Sequence, residues 1–415
     1  MNEKTQTKTT KETRDTRLLG KNTLVSNDSR TTGLNNHDMV IGPSGAGKTR
    51  GYVMPLLATS TESIIVSDTK DVLYKKYSEP MKARGYKVLR LDLIGARDTL
   101  SYNPMDFIRY DKATRRYYES DIRTLASILC PTNSHNDDPF WTDSARTVLE
   151  SLIAYVLEAT PAEEHHFGSV LELFKAWDAN TYETIFHELK ALDNGSFAVS
   201  RFEMYSNLWN AERTASCVRQ FVAQSLSCFD GLQFKHVFCG RSNFRFRDMG
   251  MKRTVLFINA SDCDRSRDSL INLFYSQALQ QLIQTADQMP DNRLQVPIRI
   301  IFDDFAAGTI IPDFDKIISV IRSREISVSI ILQSISQLEG LYGHAQSMTI
   351  INNCDHLLYL GGVDVETANY IATKADVRSA TILNLELSDC LLFERGRRGG
   401  VIHVERADIS DLETP

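Results

Sequence analysis

Residues 42–49 have the sequence Gly42-Pro43-Ser44-Gly45-Ala46-Gly47-Lys48-Thr49 and follow the apolar run 37–41. Glycines let a backbone approach phosphate closely, and the N–H groups at a helix N-terminus favour negative charge. In this spacing the lysine reaches the β- and γ-phosphates, and the threonine hydroxyl ligates Mg²⁺. The stretch therefore predicts a P-loop in which residues 42–49 bind ATP and Thr49 also binds the metal. A glycine-rich turn that merely precedes a helix is the alternative.

Around this loop, short apolar runs alternate with segments of helical periodicity, which is typical of an α/β fold. The strand-like runs lie at 37–41, 63–68, 87–93, 253–259, 297–303, 327–333, 356–360 and 388–394. Residues 111–235 lack strong strand runs and have amphipathic helical spacing instead. We therefore predict a discontinuous nucleotide-binding domain of residues 37–110 and 236–415, with an all-α domain inserted at 111–235.

The composition is ordinary for a soluble globular protein, with 42% hydrophobic and 24% charged residues. The net charge of −6 provides no global basic field, so contact with nucleic acid would need a local basic patch. Seven scattered cysteines favour reduced thiols over a disulfide or zinc framework. No run reaches the ~20 apolar residues of a membrane span. These features predict a cytoplasmic protein that reaches the inner face of the membrane only through partners.

The N-terminal residues 1–36 are rich in Thr, Lys, Arg and Asn and contain few large apolar side chains. Such a segment cannot bury enough apolar surface to offset the entropy of ordering it. We therefore predict that residues 1–36 form a disordered polar tail.

A candidate metal and catalytic site follows the apolar run 298–302. Asp303 and Asp304 end this run as in a Walker B strand. In that role Asp303 would hold Mg²⁺ through water, and Asp304 would orient or deprotonate the attacking water. Acids often follow strands, so this pair alone is weak evidence for a Walker B site, and the P-loop upstream in the same chain strengthens it. Gln333 ends the next strand, where it would either sense the γ-phosphate or bond a nearby loop.

Three charged residues each have two interpretations. Asp68 ends the strand after the P-loop helix and would lie near the phosphates or cap the following helix. Arg322 and Arg324 lie in the segment 321–325. One of them would supply an arginine finger to the nucleotide of a neighbouring subunit, or both would form surface ion pairs.

The order of these motifs resembles that of the TraG-like type IV coupling proteins, the DNA-transfer ATPases of conjugation. Besides the P-loop, the matching segments are Ile65-Val66-Ser67-Asp68-Thr69-Lys70, Tyr102-Asn103-Pro104, Pro139-Phe140-Trp141, Asp303-Asp304-Phe305-Ala306, Ile321-Arg322-Ser323-Arg324-Glu325, Ile331-Leu332-Gln333-Ser334 and Asn352-Asn353-Cys354-Asp355. The resemblance implies a RecA-like P-loop NTPase domain with an inserted all-α domain. It also implies a homo-hexamer that binds single-stranded DNA and recruits a relaxase–DNA complex to type IV secretion components.

Three departures from the family pattern keep other functions open. The family usually begins with two transmembrane helices, which this sequence lacks. It usually has Asp-Glu where this chain has Asp303-Asp304, which puts the rate of hydrolysis in question. It usually has Asp-Pro-Lys-Gly at 68–71, where this chain has Asp68-Thr69-Lys70-Asp71. The alternatives to a coupling protein are a cytoplasmic HerA/FtsK-type DNA translocase and a weakly hydrolysing ATP-binding adaptor that recruits substrates.

Overall fold

The structure is a computed structural model that describes residues 16–131, 138–176, 179–206, 211–261, 263–303, 305, 310–397 and 401–413. The contacts between residues divide the chain into two compact units. The first comprises Met1–Arg90, Phe246–Asp262 and Gln280–Pro415, and the second Leu91–Arg245 and Cys263–Leu279. This division differs from the predicted boundaries, because residues 91–110, 236–245 and 263–279 cluster with the helical unit. The aromatic contacts of Tyr102 with Phe244 and Phe274 are one physical reason.

A nine-stranded sheet forms the core of the first unit. Its strands are β3 (Asp38–Ile41), β4 (Ser63–Ser67), β5 (Lys87–Asp92), β8 (Thr254–Asn259), β9 (Ile298–Phe302), β10 (Ile326–Leu332), β11 (His356–Tyr359), β12 (Asp389–Glu394) and β13 (Val401–Glu405). Across the sheet their order is β13-β12-β11-β3-β10-β9-β4-β8-β5. The six strands from β11 to β8 pair in parallel, whereas β12 and β13 are antiparallel. The central strands are buried on both faces, which explains their continuous Val, Ile and Leu runs.

The strand order places the predicted site residues near one another. Strand β10 lies between β3, which precedes the P-loop, and β9, which precedes Asp303. Parallel strands end at the same edge of a sheet and lie about 4.8 Å apart. The P-loop, Gln333 and Asp303 therefore follow three adjacent strands at one edge. This sheet confirms the predicted α/β class.

Short helices surround the sheet in the first unit. They span Ser29–Thr32, Met54–Thr59, Val72–Ala83, Phe246–Met249, Phe314–Val320, Ile335–Tyr342, His344–Asn352, Val365–Ala375, Ser379–Leu383 and Ser410–Glu413. The helix after the P-loop begins with a π-helical turn at Thr49–Val53. A longer helix, Asp268–Asp287, is divided between the two units at residue 279.

The described part of the second unit is mostly helical. Its helices span Glu119–Leu129, Pro139–Ala159, Phe167–Lys175, Ala179–Leu192, Phe197–Ser206, Glu212–Leu226 and Lys235–Phe238, and a small hairpin joins β6 (Tyr110–Asp111) to β7 (Arg116–Tyr117). The longest of these helices, Pro139–Ala159, begins where the Asp138 side chain accepts a hydrogen bond from the Phe140 N–H group, and Pro139 lies in its first turn. It buries Val148, Leu149 and Leu152 completely.

The prediction of a disordered tail is wrong for residues 16–36. Strands β1 (Thr16–Gly20) and β2 (Thr23–Ser26) form an antiparallel hairpin. Leu18 and Leu19 are buried, and so is Arg17, whose guanidinium forms an ion pair with Asp38 at 2.7 Å. The composition of residues 1–36 could not reveal this burial, because the residues that pair with Arg17 and cover the leucines lie elsewhere in the chain.

Candidate nucleotide-binding site

Each of three P-loop glycines is required for a structural reason. Gly45 has a φ of +78° and Gly47 a φ of +84°, in the left-handed region that other residues adopt at a cost. At Gly42 a Cβ atom would lie 2.9 Å from the Cβ atom of Leu360. The loop therefore keeps its shape through two positive φ angles and one close backbone approach.

Lys48 lies over this loop. Its ammonium group donates hydrogen bonds to the carbonyl oxygens of Gly42, at 2.6 Å, and Pro43, at 3.0 Å. An ammonium group has three donors, so these bonds can be exchanged for phosphate oxygens without loss of pairing. The Lys48 side chain is thus already held at the loop where it would bind phosphate.

Thr49 and Asp303 meet although they are 254 positions apart. The Thr49 hydroxyl donates to Asp303 Oδ2 at 3.0 Å, and the Asp303 N–H group donates to Ser67 Oγ at 3.1 Å. Within the described ranges no group of three or more His, Cys, Asp or Glu residues could hold a metal ion. Mg²⁺ commonly binds one or two protein oxygens together with phosphate and water oxygens. The Thr49–Asp303 pair fits that kind of site.

A cavity of about 470 Å³ joins these groups. Residues 43–50 line it together with residues 67–70, Asp303 and Gln333. A second cavity, of about 420 Å³, shares Gly45, Ala46, Gly47 and Arg50 with the first and includes residues 405–408 in its lining. Both volumes are in the usual range for ligand sites. Asp304, the predicted catalytic acid, lies outside the described residues.

Asp68 caps a helix, which was one of its two interpretations. Its carboxylate accepts hydrogen bonds from the N–H groups of Val72, at 3.0 Å, and Tyr74, at 2.8 Å. Burial raises the pKa of Asp68 despite these bonds. Asp68 also lines the first cavity, so the cap and the position near the phosphate edge coexist.

Arg322 and Arg324 do not reach the cavity of their own chain. They precede β10, whereas Gln333 follows it. Seven strand residues span about 23 Å. Arg322 donates to the carbonyl oxygen of Gly33 at 2.8 Å, and Arg324 pairs with Asp287 at 2.7 Å. A role of either residue at a neighbouring subunit stays a prediction.

A buried ion network lies at the start of the same strands. Asp38 accepts hydrogen bonds from Arg17 at 2.7 Å, Arg299 at 3.2 Å and the Tyr52 hydroxyl at 2.6 Å. Burial alone would raise the pKa of Asp38, but Arg17 and Arg299 outweigh it and hold the pKa well below its usual range. Arg299 also pairs with Glu62 at 2.9 Å. The network connects the P-loop strand, the P-loop helix and β9.

Sequence analysis missed two contributors to the site. Ser67 holds the Asp303 backbone, and Arg406 donates a hydrogen bond to the P-loop carbonyl of Ala46 at 3.1 Å. Ser67 could have been noticed, since it ends a strand one residue before Asp68. Arg406 lies 360 positions from Ala46 and has no local signal.

No helix in the described part of the chain is long and apolar enough to span a membrane.

Comparison with known proteins identifies relatives of this chain. The family described as Type IV secretory system Conjugative DNA transfer matches residues 1–376. Protein VirD4 of Agrobacterium fabrum is 25% identical over 344 residues, which cover 82% of this chain and 50% of VirD4. The chain thus spans about half the length of the VirD4 proteins that it matches.

Solved structures share the fold. The bacterial conjugative coupling protein TrwBdeltaN70 superimposes with a TM-score of 0.72 and 17% identity, over 94% of this chain and 87% of that one. The plasmid coupling protein TrwB in complex with ADP and Mg²⁺ gives a TM-score of 0.69 and 17% identity, over 94% and 89%. At such identities the likeness concerns the fold, and it confirms the predicted RecA-like class.

Proposed function

We propose that this chain, which belongs to the Type IV secretory system Conjugative DNA transfer family, is an ATP-driven coupling protein that moves DNA into a conjugative secretion machine. The observation that carries the proposal is the cavity in which Lys48, Thr49, Asp303 and Gln333 come together. A P-loop, a Walker B acid and a polar residue on the strand between them are the parts that a nucleotide-driven motor needs.

Each predicted site residue has a role in this proposal. The N–H groups of residues 44–49 bind the phosphates, and Lys48 adds a positive charge at the β- and γ-phosphates. Thr49 and Asp303 would hold Mg²⁺, which neutralises charge on those phosphates. Gln333 senses the γ-phosphate, and Asp304 orients or deprotonates the attacking water. The second cavity, next to the P-loop, is our assignment for the nucleoside.

The ligand and the metal are supported by a relative of the same fold. Coupling protein TrwB has been solved in complex with ADP and Mg²⁺. The glycine-rich loop, the lysine and the Thr49–Asp303 pair of this chain supply the chemistry that such a ligand requires. We therefore assign ATP and Mg²⁺ as the cofactors.

The partners follow from the family. We propose that the active form is a homo-hexamer that binds single-stranded DNA, receives a relaxase–DNA complex and acts at the cytoplasmic face of type IV secretion components. An arginine finger from Arg322 or Arg324 would complete the nucleotide site of the neighbouring subunit.

DNA-stimulated ATP turnover tests the proposal. We expect the wild-type protein to hydrolyse ATP faster with single-stranded DNA and the Lys48→Ala variant to lose ATP binding. Lys82→Ala is the matched control, because it removes an exposed lysine that pairs with Glu79 near the end of the helix Val72–Ala83. Stimulation by double-stranded DNA alone would favour the translocase function. Nucleotide binding with little turnover under any condition would favour the adaptor.

A further inference from the structure

Arg406 connects three separate segments of the first unit. Its guanidinium donates hydrogen bonds to the carbonyl oxygens of Ala46 at 3.1 Å, of Asp389 at 3.1 Å and of Leu360. These carbonyls belong to the P-loop, the start of β12 and the segment after β11. The Arg406 N–H group also donates to the carbonyl oxygen of Ser388, at 2.8 Å. The side chain therefore has one fixed position rather than a choice of exposed ones.

The contact with Ala46 bears on phosphate binding. The carbonyl of Ala46 and the N–H group of Gly47 belong to the same peptide unit, so the orientation of one determines that of the other. A hydrogen bond from a cation to the carbonyl also polarises the peptide and strengthens its N–H group as a donor. Gly47 is the residue with a φ of +84°, in the left-handed region that glycine adopts without steric cost.

Two more contacts hold the C-terminal segment 405–408 against the P-loop helix. A Cβ atom on Gly51 would clash with the carbonyl oxygen of Ala407, so Gly51 permits the close approach. Arg50 donates to Asp408 Oδ2 at 2.5 Å. The segment thus contacts the P-loop and the first turn of its helix at three consecutive residues.

We propose that Arg406 is a positioning residue of the nucleotide site and that it orients the Ala46–Gly47 peptide for phosphate binding. This inference rests on the proposed ATP function and deepens it. Arg406 also lines the second cavity, but the role proposed for it is exerted through the peptide that it holds. The C-terminal segment is then part of the nucleotide site and not only an edge of the sheet.

The test compares ATP affinity in two arginine variants of the same β-hairpin. Arg406→Ala removes the contact with the P-loop. Arg395→Ala is the matched control, because Arg395 pairs with Asp355 and donates to the carbonyl of Gly33, away from the P-loop. We expect Arg406→Ala to lower ATP affinity about tenfold to a hundredfold, as for a lost charge-assisted hydrogen bond, and Arg395→Ala to leave it unchanged.

Chemical rescue separates positioning from loss of structure. Guanidinium ion, added below denaturing concentrations, should restore ATP affinity to Arg406→Ala and not to Lys48→Ala. An Arg406→Ala protein that binds ATP as tightly as wild type would overturn the inference. So would a loss of affinity that guanidinium does not reverse and that parallels a loss of folding stability. If the wild-type protein itself binds no ATP, the proposed function fails, and the inference fails with it.

Discussion

Replacement of Arg299 by methionine would test the buried network at the start of the P-loop strand. The Arg299 side chain is 0% exposed and pairs with Glu62 at 2.9 Å and with Asp38 at 3.2 Å. Arg17 and Arg299 balance the two carboxylates, so the variant leaves two buried acids facing one arginine. Breaking a buried ion pair from one side costs about 3–5 kcal/mol. We expect a loss in the upper part of that range, because both carboxylates lose a partner.

A double-mutant cycle measures the coupling free energy between Arg299 and Glu62 directly. Glu62→Met alone should also destabilise, since it leaves Arg299 with less compensation. The combination Arg299→Met with Glu62→Met leaves the balanced Arg17–Asp38 pair, and should cost about 1–3 kcal/mol less than the sum of the single variants. Urea unfolding followed by circular dichroism near neutral pH measures each value from the midpoint and slope.

A partly exposed ion pair provides the control for this cycle. Arg324→Met removes a pair with Asp287 whose side chains are 24% and 46% exposed. Such pairs contribute at most about 1 kcal/mol. If Arg299→Met unfolds no more easily than Arg324→Met, or if the two losses in the cycle simply add, then the network is not a coupled unit and the reasoning is refuted.

Three further predictions concern the buried His356, the two candidate finger arginines and Asp304. Burial lowers the pKa of His356 to about 4, and its Nδ1 atom accepts a hydrogen bond, so the unfolded chain takes up the proton first as the pH falls. The free energy of unfolding should therefore decrease from about pH 6.5 to pH 4, and less so in His356→Gln, as urea titrations at several pH values would measure. An Arg324→Ala or Arg322→Ala protein should bind ATP without hydrolysing it and regain some turnover when mixed with Lys48→Ala subunits, and unchanged turnover in both arginine variants would exclude a finger. Asp304→Glu should raise turnover at saturating ATP if the shorter acid limits proton transfer, whereas a slower variant would contradict that view.

The parts of the site that could be predicted from sequence are local or follow from sheet order. Residues 42–49 are contiguous, and the fixed spacing of their glycines, lysine and threonine indicates a P-loop. Asp303 and Gln333 were predictable because each ends an apolar strand, and parallel strands present their ends at one edge. These residues lie near the P-loop because β10 lies between β3 and β9 in the sheet.

The parts that could not be predicted depend on pairs distant in sequence. Arg17 contacts Asp38 and His356, which are 21 and 339 positions away. Its own surroundings, in a segment rich in threonine and charged residues, gave no sign of burial. The same holds for Arg406, whose P-loop partner lies 360 positions away. An isolated arginine carries no local pattern that distinguishes a buried, paired side chain from an exposed one.

Asp68 and Asp303 show why an acid at the end of a strand does not by itself reveal its role. Both follow buried parallel strands at the same edge of the sheet. After Asp68 the chain turns back at Asp71, whose φ is +54°, and so brings the N–H groups of Val72 and Tyr74 onto the Asp68 carboxylate. The Asp303 carboxylate instead accepts the hydroxyl of Thr49 from another element. The strand sets the position of each acid, but the partners differ: the turn at Asp71 supplies helix N–H groups to Asp68, whereas a hydroxyl from the P-loop helix reaches Asp303.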